Sequence, residues 1–259
     1  MILSSHGIIG SQIVQVVPTF EFSVKTDNVG TTSSTQFRMP LSTSTGLNID
    51  VDWGDGSAIE NITVNTNAIH TYSTAGTYTI KVTGSLLGWS FLRFGGFPGD
   101  NQKILDVKQW GVFKVTNDGN FYGCTNLTAS ATDAPIISTN TLLAFFRDCP
   151  NFNGAIGNWD ISGVQSLRLF LRDADAFNQD ISNWDINQVN NFDDFMTAAT
   201  GLSTTNYDLL LVGWEAQLPT SGLSVNFGGS KYTLGSAAAT ARASLISTYG
   251  WTITDGGGI

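Results

Sequence analysis

Val51-Asp-Trp-Gly-Asp-Gly-Ser57 ends an alternating run on a Trp and then turns sharply through Gly-Asp-Gly. Trp53 has the bulk to fill the centre of a two-layer β fold, and Gly54 and Gly56 can take the positive φ that a tight hairpin requires. A second stretch, His70-Thr-Tyr-Ser-Thr-Ala-Gly-Thr-Tyr-Thr-Ile-Lys-Val82, reads as a strand entry, a small-residue turn and a closing strand. Tyr72 and Tyr78 are its inward anchors, and His70 is a structural hydrogen-bonding residue. Outward from these pieces, alternating runs at 20–24, 47–53, 59–64 and 77–83 are separated by turn residues, which predicts an antiparallel β-sandwich over 18–84.

The two quoted stretches resemble the PKD domain family, immunoglobulin-like modules marked by a W-G-D-G turn followed by H-T-Y and G-T-Y. The resemblance covers 18–84 and implies a structural and adhesive module rather than a catalytic one.

Beyond Gly84 a repeat takes over. Leu127, Phe152, Phe177 and Leu202 recur at one 25-residue period, as do Phe121, Phe146, Leu171 and Met196. Ile156-x-x-Trp159-x-Ile161-x-x-Val164 returns as Ile181-x-x-Trp184-x-Ile186-x-x-Val189, with looser copies at Ala131, Ala134, Ile136, Thr139 and at Val107, Trp110, Val112, Val115. Leu86, Trp89, Phe91 and Phe94 suggest a divergent first rung. Phe170, Leu171, Ala174 and Phe177 have helical spacing, so one strand and one short helix per period are expected. Phe177-Asn-Gln-Asp-Ile-Ser-Asn-Trp-Asp-Ile resembles the BspA-type leucine-rich repeat of bacterial surface proteins and related virus-encoded proteins, which implies a role in attachment. The tail reads as helix (207–217), strand (223–227), helix (237–249) and strand (251–254). The expected fold is therefore mixed β and α/β: a PKD-like sandwich, a leucine-rich-repeat α/β solenoid over 85–202, and a C-terminal cap over 203–259.

Composition narrows the function. Twelve Lys and Arg against 21 Asp and Glu, a net charge of -9, leave no basic surface for nucleic acid. The longest mostly apolar stretches, 13–17 and 209–212, are far below the ~18 residues that insert into a membrane. The amino end has no Lys or Arg and no apolar run of signal-peptide length, so ordinary secretion is not expected. There is no nucleophile elbow or phosphate loop, and no zinc spacing among two Cys and two His, so the chain reads as a non-enzyme without cofactors. Asp50, Asp52 and Asp55 could gather oxygen ligands around calcium, but their spacing is not that of an EF-hand, Asp50 and Asp52 fall on one strand face and turn formation explains Asp55, so no metal is expected. Asn61 and Asn126 head glycosylation sequons that matter only in a eukaryotic secretory route. Cys124 and Cys149 lie one period apart, opposite Ala174 and Ala199, and fit either a small buried position or a disulfide between rungs.

Alternation along each repeat strand points Gln109, Gly111, Phe113; Asp133, Pro135, Ile137; Asn158, Asp160, Ser162; and Asn183, Asp185, Asn187 outward. In that stripe Asp133, Asn158, Asp160, Asn183 and Asp185 form a polar ladder, with Phe113 and Ile137 as an apolar patch, suited to a protein or glycan. Trp159 and Trp184 face inward as structural residues. The expected protein is a phage virion component in an oligomer: residues 1–17 dock into other virion proteins, and the ladder meets a host surface protein or glycan. The alternative is a bacterial cell-surface or extracellular adhesin.

Overall fold

The computed structural model describes residues 17–92, 99–200 and 202–259. Except for Val17, the expected docking segment 1–17 lies outside the described residues, as does Phe94. Six strands build the first region: β1 (Phe20–Lys25), β2 (Gln36–Arg38), β3 (Asn48–Asp52), β4 (Glu60–Ile62), β5 (Ile69–Thr71) and β6 (Thr77–Ser85). Alternation sets their faces: Phe20, Phe22 and Val24 of β1, Ile49 and Val51 of β3, and Ile80 and Val82 of β6 are buried. The antiparallel β2–β5 pair closes over this core, with Phe37 of β2 meeting Phe22 ring to ring at 6.0 Å.

The sheet continues past β6. β7 (Ile104–Gln109) pairs antiparallel with the free edge of β1, and β9 (Thr128–Ala129) pairs parallel with β7, so the strand order is β4-β3-β6-β1-β7-β9. Between them in sequence, β8 (Lys114–Val115) pairs parallel with β10 (Ile136–Ile137). Phe20 accordingly packs on Trp89, Trp110 and Phe113, all from the second region.

A buried ion pair ties the same two regions together. Lys103 and Asp100 have fully buried side chains, 4.0 Å apart. The Lys103 ammonium donates to the carbonyls of Thr32, Ser33 and Gln36 and to the Thr32 hydroxyl, at 2.8–3.2 Å. Asp100 accepts from the backbone N–H groups of Thr31, Thr32 and Arg38 and from the Thr32 hydroxyl. Burial pulls the Lys103 pKa down, and Asp100 and then Asp27 oppose it. All of these groups are satisfied, which is what makes the pair tolerable in the interior.

The repeats are not a leucine-rich-repeat α/β solenoid. Among the described residues both α-helices lie beyond the repeats, and from 138 to 203 the β pairing is confined to isolated bridges such as Thr141–Ser166 and Ser166–Asn191. The expected strand is two successive turns: Trp159 N–H donates to Ile156 O (3.1 Å) and Val164 N–H to Ile161 O (2.8 Å), and Trp184 and Val189 repeat this one period later. The spacing of three between apolar residues is thus turn spacing. The expected helix is a series of turns containing left-handed residues, Ala144 and Asp148, then Leu169 and Asp173, then Asp194 and Ala198, all with φ between 54° and 65°. A right-handed helix cannot pass through φ > 0, and only Gly119 and Gly123 of the first copy advertise it in sequence.

These left-handed residues turn whole peptide units along the stack. Gly119 N–H donates to Leu143 O, Ala144 N–H to Arg168 O and Leu169 N–H to Asp193 O, at 2.8–3.0 Å. Parallel columns run Phe121 to Phe145, Phe146 to Phe170, Leu171 to Phe195, and Gly123 to Arg147, Asp148 to Arg172, Asp173 to Thr197. Inside, rings stack from copy to copy, Phe121 on Phe146, Phe152 on Phe177 and Phe170 on Phe195.

The tail supplies α1 (Thr204–Glu215), β11 (Ser224–Asn226), α2 (Ala237–Ser247) and β12 (Thr252–Thr254). Ser203 and Ser236 accept backbone N–H bonds at the two helix starts. Trp214 of α1 covers the last repeat, stacking on Phe192 at 5.2 Å and donating Nε1–H to Ile181 O at 3.1 Å.

Two outcomes follow. Lys103→Met leaves Asp100 buried without its counter-charge and should cost about 3–5 kcal/mol in urea unfolding, because one partner of a buried pair has been removed. Ala198 is exposed at φ 65°, so Ala198→Gly should raise stability by roughly 0.5–1 kcal/mol in the same assay, left-handed strain relieved outweighing the added flexibility of the unfolded chain.

Candidate functional site

The outward side of the repeats is built by acid-braced turns. Asp160 Oδ1 accepts from the Ser162 N–H (3.1 Å) and hydroxyl (2.6 Å), which lowers its pKa, the hydroxyl bond first and the backbone bond second. Asp180 Oδ1 accepts from Ser182 N–H (2.9 Å), and Asp185 Oδ1 from the N–H and side-chain amide of Asn187. Each Asp-Ile-Ser or Asp-Ile-Asn step is therefore a side chain closing the turn that follows it. Among the described residues, Oδ2 of Asp160 and Oδ2 of Asp185 have no hydrogen-bond partner, so each can accept from an external donor.

The structure sorts the expected ladder into two groups. Asn158, Asp160, Asn183 and Asp185 are exposed on the last two copies, with Asn158 donating to Thr132 O at 3.1 Å. Asp133 is half-buried and serves the backbone, its carboxylate accepting from Trp110 and Gly111 N–H at 2.9–3.1 Å. Phe113 corrects the outward assignment. Its N–H closes a turn onto Trp110 O (2.7 Å) through Gly111 at φ 45°, so alternation fails across the turn and the ring enters the core, 4.7 Å from Phe20. Ile137 packs half-buried against the core, and its neighbour Ile136 is the exposed residue, so the apolar patch does not form as expected. Trp184 is buried and donates to Ile156 O, and Trp159 is buried edge-on to Trp110 at 5.3 Å.

Sequence reasoning passed over Asn153 and Asn178, which join successive copies: Asn153 Oδ1 accepts from Asn178 N–H, and Asn178 Oδ1 from Ser203 N–H, both at 2.8 Å. Their 25-residue spacing was the available signal. Cys124 and Cys149 are free and buried, with burial raising both thiol pKa values, and the Cys149 thiol lies 3.0 Å from Phe121 O.

At the opposite end, the PKD-like signature forms one cluster. His70 stacks on Trp53 at 4.8 Å, Tyr72 meets His70 edge-on at 4.6 Å, and Tyr78 stacks on Tyr72 at 3.9 Å. His70 Nε2 lies 2.8 Å from Asp55 Oδ2, and Trp53 donates to Glu60. The three candidate calcium residues have separate partners: Asp50 accepts from Asn61, Asp52 from Gly54 N–H, and Asp55 from Ser57 N–H.

Comparison with known families agrees with this division. A model of the PKD domain matches residues 19–86, and a model described as a Mycoplasma protein of unknown function, DUF285, matches residues 96–210. No curated protein and no solved structure matches the chain.

Asp55 generates a pH prediction. Burial works against its ionisation, but hydrogen bonds from Ser57 and His70, and the nearby imidazole charge, outweigh it and hold its pKa at about 2. A carboxyl lowered from 3.8 to about 2 contributes stability that is complete above pH 3.8 and is lost as pH falls towards 2. Asp55→Asn should be less stable than the parent at pH 5, and the difference should shrink between pH 4 and 2 in thermal unfolding followed by near-UV circular dichroism.

Proposed function

We propose that this chain is a non-enzymatic attachment protein displayed on a virus particle, binding a host glycan through the outward face of its last two repeats. The reading rests on one observation: neighbouring copies carry Asn158 and Asp160, then Asn183 and Asp185, at equivalent exposed positions, and each Asp keeps one carboxylate oxygen free. Regularly spaced, ionised acceptors suit a ligand that repeats hydroxyl donors, and charge-assisted hydrogen bonds of this kind are worth about 1.5–3 kcal/mol each. A bacterial cell-surface adhesin with the same face is the second reading, favoured by the Mycoplasma description of the family matched over 96–210.

A glycan array probed with the full chain and with an Asp160→Ala/Asp185→Ala double variant tests the proposal. The parent should retain a defined glycan class. The variant should bind at least tenfold more weakly, since about 1.4 kcal/mol is already a factor of ten. Undiminished binding by a folded variant would remove the face from the reading. Detection in purified virions or on bacterial envelopes separates the two settings.

A further inference from the structure

Cys124 and Cys149 stand at equivalent positions of neighbouring copies, and both are fully buried and free. The two chain segments are held at hydrogen-bonding separation on either side of them. Gly123 N–H donates to Arg147 O at 2.9 Å, and the Asn151 side-chain amide donates to Thr125 O at 2.7 Å. Backbones bonded in this way run about 4.8 Å apart, and disulfides join Cα atoms about 4.4–6.8 Å apart. The thiols also meet at one backbone group. Phe121 O accepts from Cys124 N–H at 3.1 Å and from the Cys149 thiol at 3.0 Å, so Cys149 Sγ reaches back from its own copy to the backbone beside Cys124.

Packing in this column does not demand sulfur, because the next two copies fill it with the buried Ala174 and Ala199. Folding changes what the thiols can do. In the unfolded chain both meet solvent, whereas in the fold burial raises both pKa values and removes the thiolate that must attack an oxidant.

We propose that Cys124 and Cys149 form a disulfide between the two copies when the chain folds in contact with a disulfide oxidant, and that the finished fold shields both thiols from that oxidant. With oxidised glutathione, the thiolate of one cysteine attacks a glutathione sulfur, forming a mixed disulfide and expelling one glutathione thiolate. The thiolate of the other cysteine attacks the protein sulfur of that mixed disulfide and expels the second. Two protein thiols are oxidised, one glutathione disulfide is reduced, and the two protons end on the glutathione thiols. A reductant must reach the same buried sulfurs, so the bond persists once the stack has closed. Its presence in material from the native source then reports folding in an oxidising compartment. The inference is independent of the proposed function.

Oxidative refolding of the unaltered full chain tests it. Reduced chain is diluted from urea into reduced and oxidised glutathione, folded reduced chain is held in the same buffer for the same time, and free thiols are counted in urea with a polyethylene-glycol maleimide. The refolded sample should contain about tenfold more chain without free thiols than the folded one, as a monomer on a non-reducing gel with Cys124 linked to Cys149 in the peptide map. Its melting temperature should exceed that of the reduced chain, and Cys149→Ala should show no oxidant-dependent rise. If the chain does not refold from urea, cell-free synthesis with and without the glutathione pair makes the same comparison. Thiols that stay free, cross-links between chains, or a cross-linked monomer lacking the near-UV circular dichroism of the reduced fold would each overturn the proposal. Equally fast oxidation of the folded chain would overturn the shielding.

Discussion

β1 is hydrogen-bonded along both edges, to β6 on one side and to β7 on the other, and the remaining architecture depends on that double pairing. An antiparallel sandwich normally ends in exposed strand edges, which are liabilities unless covered. Here the edge of β1 is occupied by the strand that begins the repeats, so the first copy receives both a backbone template and an apolar wall. Phe20 shows the consequence in one side chain: it belongs to the sandwich by sequence, yet its ring contacts include Trp89, Trp110 and Phe113 from the other region. Asp100 and Lys103 reinforce the junction from the loop side, gripping 31–38 with a pair of charges whose partners are mostly backbone.

Further along, order is propagated by peptide units rather than by strands. Leu143 C=O and Ala144 N–H belong to one planar trans peptide and point in opposite directions, so a bond accepted from the copy before is answered by a bond given to the copy after. The three columns through the left-handed residues have the same sense, with N–H groups facing the carboxyl end, while the column Asn190 to Gln165 to Asn140 runs the other way. Aligned peptide dipoles add, as they do in a helix. Asp193 and Asp194 lie at the end where the summed dipole is positive, and one column continues through Met196 N–H to Asn226 O in β11. Trp214 and β11 thereby close the stack by continuing its hydrogen bonding and covering its aromatic core.

Much of this was legible in the sequence where residue type and geometry are tightly linked. The sandwich strands follow from period-two burial, and the tail helices begin at Ser203 and Ser236, side chains able to accept the first free N–H groups. The repeat period was equally plain. Its conformation was hidden for a physical reason: an apolar spacing of three or four satisfies a helix and a run of turns alike, and the deciding left-handed positions carry Ala, Leu and Asp at 144, 169 and 173 instead of Gly. Phe113 was misread for a related reason. Counting alternate residues outward assumes unbroken extended backbone, and the turn at Gly111 reverses the parity of everything after it.

The outward acids combine a folding duty with availability, and the two can be separated chemically. Asp160 and Asp185 each commit Oδ1 to the next turn and present Oδ2. An Asn at either position keeps a carbonyl oxygen to close the turn while removing the charge, whereas Ala removes both. A ligand held by charge-assisted bonds would therefore distinguish parent from Asn, and turn geometry would distinguish Asn from Ala. Recognition could change along this face by exchange between Asp and Asn without disturbing the stack beneath it. The existing pairs show that the scaffold accepts both residue types outward, since Asn158 and Asn183 stand two residues before Asp160 and Asp185 in successive copies. The constraint from folding acts on one oxygen, and the other is left to whatever the surface meets.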